Sequence, residues 1–176
     1  MQENLPVVYL FVLLVLLLGV AVFLIQQVFK TVRQEKTITR LQNLLKQNKA
    51  TAKDAYELGS LYLDKKLYVQ AIALFQKALK LNEDETEPEN KALIYNALGF
   101  SYFAQEQYDL SIRNYKDAIK LYPDYVVALN NLANTYEKKQ MITKAIETYE
   151  ETLKYDQSNK IARKRKEALS KRLAAS

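Results

Sequence analysis

The chain contains no cysteine and no histidine. Disulfide frameworks, thiolate nucleophiles, zinc fingers and imidazole bases are therefore excluded. The lack of cysteine does not by itself fix a redox compartment. Glycine is scarce (Gly19, Gly59, Gly99), and so is proline (Pro6, Pro88, Pro123). A chain so poor in turn formers argues for long helices and against a β-sandwich. No glycine-rich phosphate loop is present, and the carboxylates are gathered in one turn or scattered over helix faces. That pattern offers no catalytic constellation, so the reading is of a non-enzyme without cofactor or metal.

Basic charge is missing from the start of the chain. Residues 1–29 carry only Glu3, residues 30–53 have a balance of +6, residues 54–159 of −5, and residues 160–176 of +6. The overall +6 thus belongs to two basic segments flanking a mildly acidic body. The 176 residues suffice for one domain and an appendage.

Leu5 to Ile25 is an apolar run of 21 residues. As a helix it reaches about 31 Å, close to the hydrocarbon thickness of a bilayer. A cleaved signal peptide would want a basic start, a shorter apolar core and a small-residue cleavage site, and the pattern here fits none of these. Residues 1–29 are expected to form an uncleaved single-span anchor. Lys30, Arg33, Lys36 and Arg40 follow the run, which directs the remainder to the cytoplasmic side or its organellar equivalent. Residues 30–51 read as a basic juxtamembrane helix. Val32, Ile38, Leu41 and Leu45 lie near one face, suited either to anionic lipid or, preferably, to covering the first repeat. Gln47 to Thr51 is the expected break, with Thr51 as N-cap.

What is abundant is a 34-residue period. Counted from Ala92, Tyr95, Leu98, Gly99, Tyr102, Ser111, Tyr115, Ala118 and Pro123 hold positions 4, 7, 8, 11, 20, 24, 27 and 32. Leu58, Gly59, Tyr62, Ala71, Phe75 and Ala78 repeat the spacing upstream, and Leu132, Ala133, Tyr136, Ala145 and Tyr149 downstream. The small residues let two helices approach and the large ones fill the space between them. This pattern resembles the tetratricopeptide (TPR) repeat. One such pair cannot bury its apolar face alone, so units stack into a solenoid with a concave side. The expected fold is all-α: a transmembrane helix, a juxtamembrane helix, three repeats over 52–159 (52–85, 92–125, 126–159), and a basic capping helix and tail over 160–176.

The period breaks once, since Leu58 to Leu98 spans 40 residues. The extra six sit around Glu83–Lys91, read as a solvated acidic turn, as it lacks the alternating ligands, glycine and distal glutamate of an EF-hand. In the last segment Ile161, Ala168, Leu169 and Leu173 are expected to face the third repeat. The run Arg163-Lys164-Arg165-Lys166 does not signal nucleic acid, because that helix carries no aromatic to stack a base.

In TPR folds, positions 2, 5, 9 and 12 line the groove. Here these are Lys53, Tyr56, Ser60 and Leu63, then Leu93, Asn96, Phe100 and Phe103, then Val127, Asn130, Asn134 and Glu137. Asn130 and Asn134, one turn apart, can bond an extended backbone, and Phe100 and Phe103 offer apolar area. A protein or peptide partner of mixed character is implied. The carboxylate clamp that some TPR domains use for chaperone tails is absent, since its positions hold Tyr56, Ser60, Val127 and Asn131.

The apolar start with Leu5-Pro6 and Tyr9-Leu10, the stretch Thr39-Arg40-Leu41-Gln42, and Tyr56-Glu57-Leu58-Gly59-Ser60-Leu61-Tyr62-Leu63-Asp64-Lys65-Lys66 narrow the resemblance. Together they resemble the membrane-anchored TPR photosystem I assembly proteins of cyanobacteria and algal plastids. The resemblance implies a thylakoid location, repeats on the cytoplasmic or stromal side, and photosystem I subunits or assembly intermediates as partners. A general membrane-tethered TPR receptor for protein targeting or envelope biogenesis has the same features and a different partner.

Overall fold

The computed structural model describes residues 5–81 and 88–174. Eight helices are present among the described residues, and no strand. They are α1 (Leu5–Lys46), α2 (Ala52–Asp64), α3 (Tyr68–Leu81), α4 (Pro88–Ala104), α5 (Tyr108–Leu121), α6 (Val126–Lys138), α7 (Ile142–Tyr155) and α8 (Lys160–Ala174). The chain divides into two compact units, residues 1–43 and 44–176.

The first unit is helical from Leu5 onward. From Tyr9 to Phe29 its large apolar side chains are all exposed. Among the described residues it holds the one helix long and apolar enough to cross a membrane. The hydroxyls of Thr31, Thr37 and Thr39 donate to carbonyls one turn back, at 3.0, 3.1 and 2.9 Å, and so do not compete with the helix.

The second unit is a solenoid. α2 packs with α3, α4 with α5 and α6 with α7, and each pair packs on the next helix in line. Thr51 is the N-cap of α2, its hydroxyl accepting from the Asp54 amide at 3.2 Å while Asp54 accepts from the Thr51 amide at 2.9 Å. This reciprocal pair is a capping box. One buried cluster joins Ala55, Ala71, Phe75 and Ala78 to Ile94, Ala97 and Leu98, with Leu45 packed against it. Another joins Tyr115 to Leu132, Ala133, Tyr136, Ala145 and Tyr149, and on to Ala162 and Leu169 of α8. Every repeat therefore completes its core with its neighbour, as the spacing requires.

The turns inside the three repeats share one design. Lys66, Glu106 and Gln140 all hold position 15 and all have φ near +60° (60°, 59° and 60°). The next amide bonds the carbonyl five residues back: Leu67 to Tyr62 at 2.8 Å, Gln107 to Tyr102 at 2.9 Å, Met141 to Tyr136 at 2.9 Å. This is a Schellman ending, usually built on glycine, with charged or amide side chains in its place.

Two expectations need correction. α4 starts at Pro88, four residues before the repeat frame at Ala92, so Pro88–Lys91 are helical and not part of a turn. Proline suits a first helical position and Glu89 complements the helix dipole there. The rest of the acidic stretch, residues 82–87, lies outside the described residues. On α8, Leu169 is buried as expected, but Ile161, Ala168 and Leu173 are exposed and Ala162 is buried instead. The buried stripe follows the packing of a first helix on its predecessor, one position off the apolar pattern assumed from sequence.

Candidate partner-binding groove

The first helices of all three repeats meet along one groove of about 610 Å³. α2 contributes Tyr56, Ser60 and Leu63, α4 contributes Asn96, Ala97 and Phe100, and α6 contributes Val127 and Asn131. Asp64, Lys66 and Tyr68 stand at its edge near the first repeat's turn. Repeat spacing explains the convergence, because the same positions recur on successive helices and all turn away from the second helices.

Six of the residues expected from sequence line this groove: Tyr56, Ser60, Leu63, Asn96, Phe100 and Val127. The others do not. Lys53 and Leu93 are exposed and are not part of its lining. Phe103 packs on Tyr108, with ring centroids 5.7 Å apart. Glu137 accepts from Arg165 of α8 at 2.9 Å and from the Tyr149 hydroxyl at 3.5 Å. Asn134 is half-buried. The Oδ1 of Asn130 is buried with no hydrogen-bond partner among the described residues.

The four-position reading left out Asp64, Lys66, Tyr68, Ala97 and Asn131, and of these Asn131 bonds across the groove. Its Nδ2 donates to Asn96 Oδ1 at 3.1 Å, which fixes both amides across the α4–α6 gap. Its position, the sixth of the repeat, is one the carboxylate clamp uses, so the signal was present in that comparison. Tyr125 lies next to this wall, within hydrogen-bond reach of Asn96. It stacks on Tyr122 with centroids 5.4 Å apart. Burial pushes its phenol above the usual value, nearby Tyr56 and Tyr122 push the same way, and a hydrogen bond with Asn96 opposes them.

The groove's chemistry is recognition. Tyrosine, phenylalanine and valine supply apolar surface, and paired amides supply donors and acceptors for an extended backbone. Asp64 and Lys66 balance each other in charge. Among the described residues, no three histidine, cysteine, aspartate or glutamate side chains gather as metal ligands.

A tetratricopeptide repeat family model matches residues 51–124 and 92–158. The chain belongs to the tetratricopeptide repeat family, whose fold is a protein-interaction scaffold. Its relatives include proteins named ycf37 and a chloroplastic TPR protein. It is 42% identical over 151 residues to ycf37 of Cyanophora paradoxa, covering 85% of this chain and 86% of that protein. It is 39% identical over 175 residues to ycf37 of Guillardia theta, covering 98% and 97%. The chloroplastic TPR protein PYG7 of Arabidopsis thaliana is 37% identical over 162 residues, 92% of this chain and 53% of that protein. Among solved structures, MamA aligns with a TM-score of 0.71 at 24% identity, over 78% of this chain and 77% of that one. The first TPR of Spaghetti (RPAP3), bound to an HSP90 peptide, aligns at 0.64 and 19% identity, over 70% and 94%. These two likenesses concern the fold alone.

Proposed function

We propose that this protein is a membrane-tethered TPR scaffold that binds protein partners and assists photosystem I assembly or stability, without enzymatic activity of its own. α1 is the single span, and the repeats stand on the cytoplasmic or stromal side of the thylakoid, the side favoured by Lys30, Arg33, Lys36 and Arg40. The groove between α2, α4 and α6 receives a partner segment. The observation that carries the reading is the match to ycf37 along 98% of this chain, apolar helix included. A shared repeat domain alone would suit many unrelated scaffolds. The chloroplastic PYG7 relative agrees with a plastid-type setting.

Native pull-down of the C-terminally tagged chain from detergent-solubilised thylakoids tests this. Photosystem I subunits should be enriched, and Phe100→Arg should cut their recovery on the order of tenfold, as loss of a central aromatic contact does. Recovery of translocation or envelope-biogenesis proteins instead would replace the photosystem reading with a general tethered receptor. Enrichment indifferent to Phe100→Arg would keep the function and move the contact off the groove.

A further inference from the structure

The row of groove positions continues onto α8. Its buried residues, Ala162 and Leu169, hold positions 3 and 10 counted from Lys160. The same positions are buried on α4 as Ile94 and Ser101, and on α6 as Ala128 and Thr135. α8 therefore sits in the register of a fourth first helix. Positions 5 and 12, which line the groove as Tyr56 and Leu63, fall on Lys164 and Lys171.

Charge changes along this row. Position 6 runs Ala97, Asn131, Arg165 from α4 to α8, and position 13 runs Ala104, Lys138, Arg172. Arg165 is held by Glu137, and Arg172 donates to Gln140 at 3.0 Å. Lys164 and Lys171 are exposed, and neither has a partner among the described residues. The groove lining sets Asp64 against Lys66, while the row of positions that continues onto α8 is cationic there.

Resting on the reading of this face as the partner site, we infer that it takes an extended segment of a protein partner whose apolar, uncharged part crosses α2–α6 and whose carboxylates lie over α8. The apolar part fills the space between Tyr56, Phe100 and Val127. A backbone N–H of the segment bonds the Asn131 amide oxygen on the groove lining, and aspartate or glutamate side chains pair with Lys164 and Lys171. An extended polypeptide supplies both the N–H and the carboxylate, whereas a phospholipid phosphate supplies only the anion. Charge complementarity also fixes the direction of the segment along the solenoid.

Carbodiimide coupling joins a lysine amine to a carboxylate in contact with it, and it can be applied to the full chain in native membranes. Lys164 and Lys171 should link to aspartate or glutamate of a partner polypeptide, at several times the yield of exposed Lys80, Lys120 and Lys154 on the second helices. In native pull-down without coupling, Lys164→Glu with Lys171→Glu should lower recovery of the partner on the order of fivefold, the weight of two exposed ion pairs. Lys164→Arg with Lys171→Arg should retain it, and circular dichroism should show both variants folded. Linkage no higher than at the control lysines, or recovery unchanged by charge reversal, overturns the inference and leaves the scaffold reading standing. Loss of binding to phosphatidylglycerol vesicles without loss of partner overturns it in favour of lipid. Linked partners that are not photosystem I subunits support the inference while removing the photosystem reading.

Discussion

Gly99 is where a single atom decides packing. A Cβ there would lie 2.6 Å from Cδ1 and Cε1 of Tyr115, and one at Gly59 would lie 2.7 Å from Cε1 of Phe75. The third repeat carries Ala133 at the same position opposite Tyr149, both buried, so its helix pair is built around that methyl group. Gly99→Ala gains about 1 kcal/mol of helix propensity. It overpacks a rigid ring at a cost of about 1–3 kcal/mol. Net destabilisation is the expected outcome, seen as a lower urea midpoint for the repeat body, and a raised midpoint would refute the close-contact argument. These glycines were legible from spacing alone, because the signature pairs a small residue with a large one sixteen positions on. Asn131 was touched only by the clamp comparison, because its position lies outside the repeat signature and its bond to Asn96 appears only when α4 and α6 are brought side by side. Tyrosine burial gives a second test. Tyr115, Tyr125 and Tyr149 all have phenols pushed above their usual value, chiefly by desolvation. A raised folded value means stability is complete below the unfolded value near 10 and falls as pH climbs towards the folded one. Urea midpoints should therefore drop between pH 9 and pH 11 on the order-of-magnitude scale of that linkage, and Tyr115→Phe should flatten the drop. An equal drop in the variant would assign it to groups other than Tyr115.

At the scale of elements, the described residues turn four times through left-handed positions that are not glycine, at Asn48 and at the three repeat turns. Each costs about 1–2 kcal/mol relative to a right-handed conformation, and glycine would remove most of that while adding entropy to the unfolded chain. Glu106→Gly should stabilise the repeat body by roughly 0.5–1 kcal/mol, read as a higher melting temperature. A lower one would mean that Glu106 makes a compensating contact. Helix existence and pairing were legible because position 8 against position 24 fixes each hairpin. The start of α4 was hidden by the acidic character of the preceding stretch, which reads as a turn even where Pro88 and Glu89 favour a first helical turn. The buried face of α8 was missed for a different reason. Its composition is so polar that Ile161 and Leu173 drew attention as apolar residues, whereas repeat register buries the smaller Ala162. The join between α7 and α8 is a local device. Asp156 accepts from the Ser158 amide at 3.0 Å and from Asn159 Nδ2 at 3.0 Å, and Asn159 Oδ1 accepts from the Ala162 amide at 3.0 Å. The Ser158 hydrogen bond holds the Asp156 carboxyl below its usual value.

For the molecule as a whole, the proposed tether and the proposed groove do different work. The groove offers one aromatic-lined trough and a few amides, a small surface for tight binding from solution. Confinement to the membrane that holds the partner raises the effective concentration without adding any contact. If α1 acts as a tether only, its sequence matters little beyond length and apolarity. Replacing residues 5–25 with an unrelated apolar helix of equal length should then leave photosystem I subunit recovery within about twofold of the native chain. Deleting the segment should lower recovery by two orders of magnitude or so, the scale that tethering supplies. Phe100→Arg should weaken recovery in the native and swapped chains by the same factor, because anchor and groove contribute independently. A swapped chain that stays in the membrane but loses its partner would show instead that side chains of α1 recognise the partner within the bilayer. Part of the specificity would then lie in the apolar helix, and the soluble groove would be the weaker of two contacts.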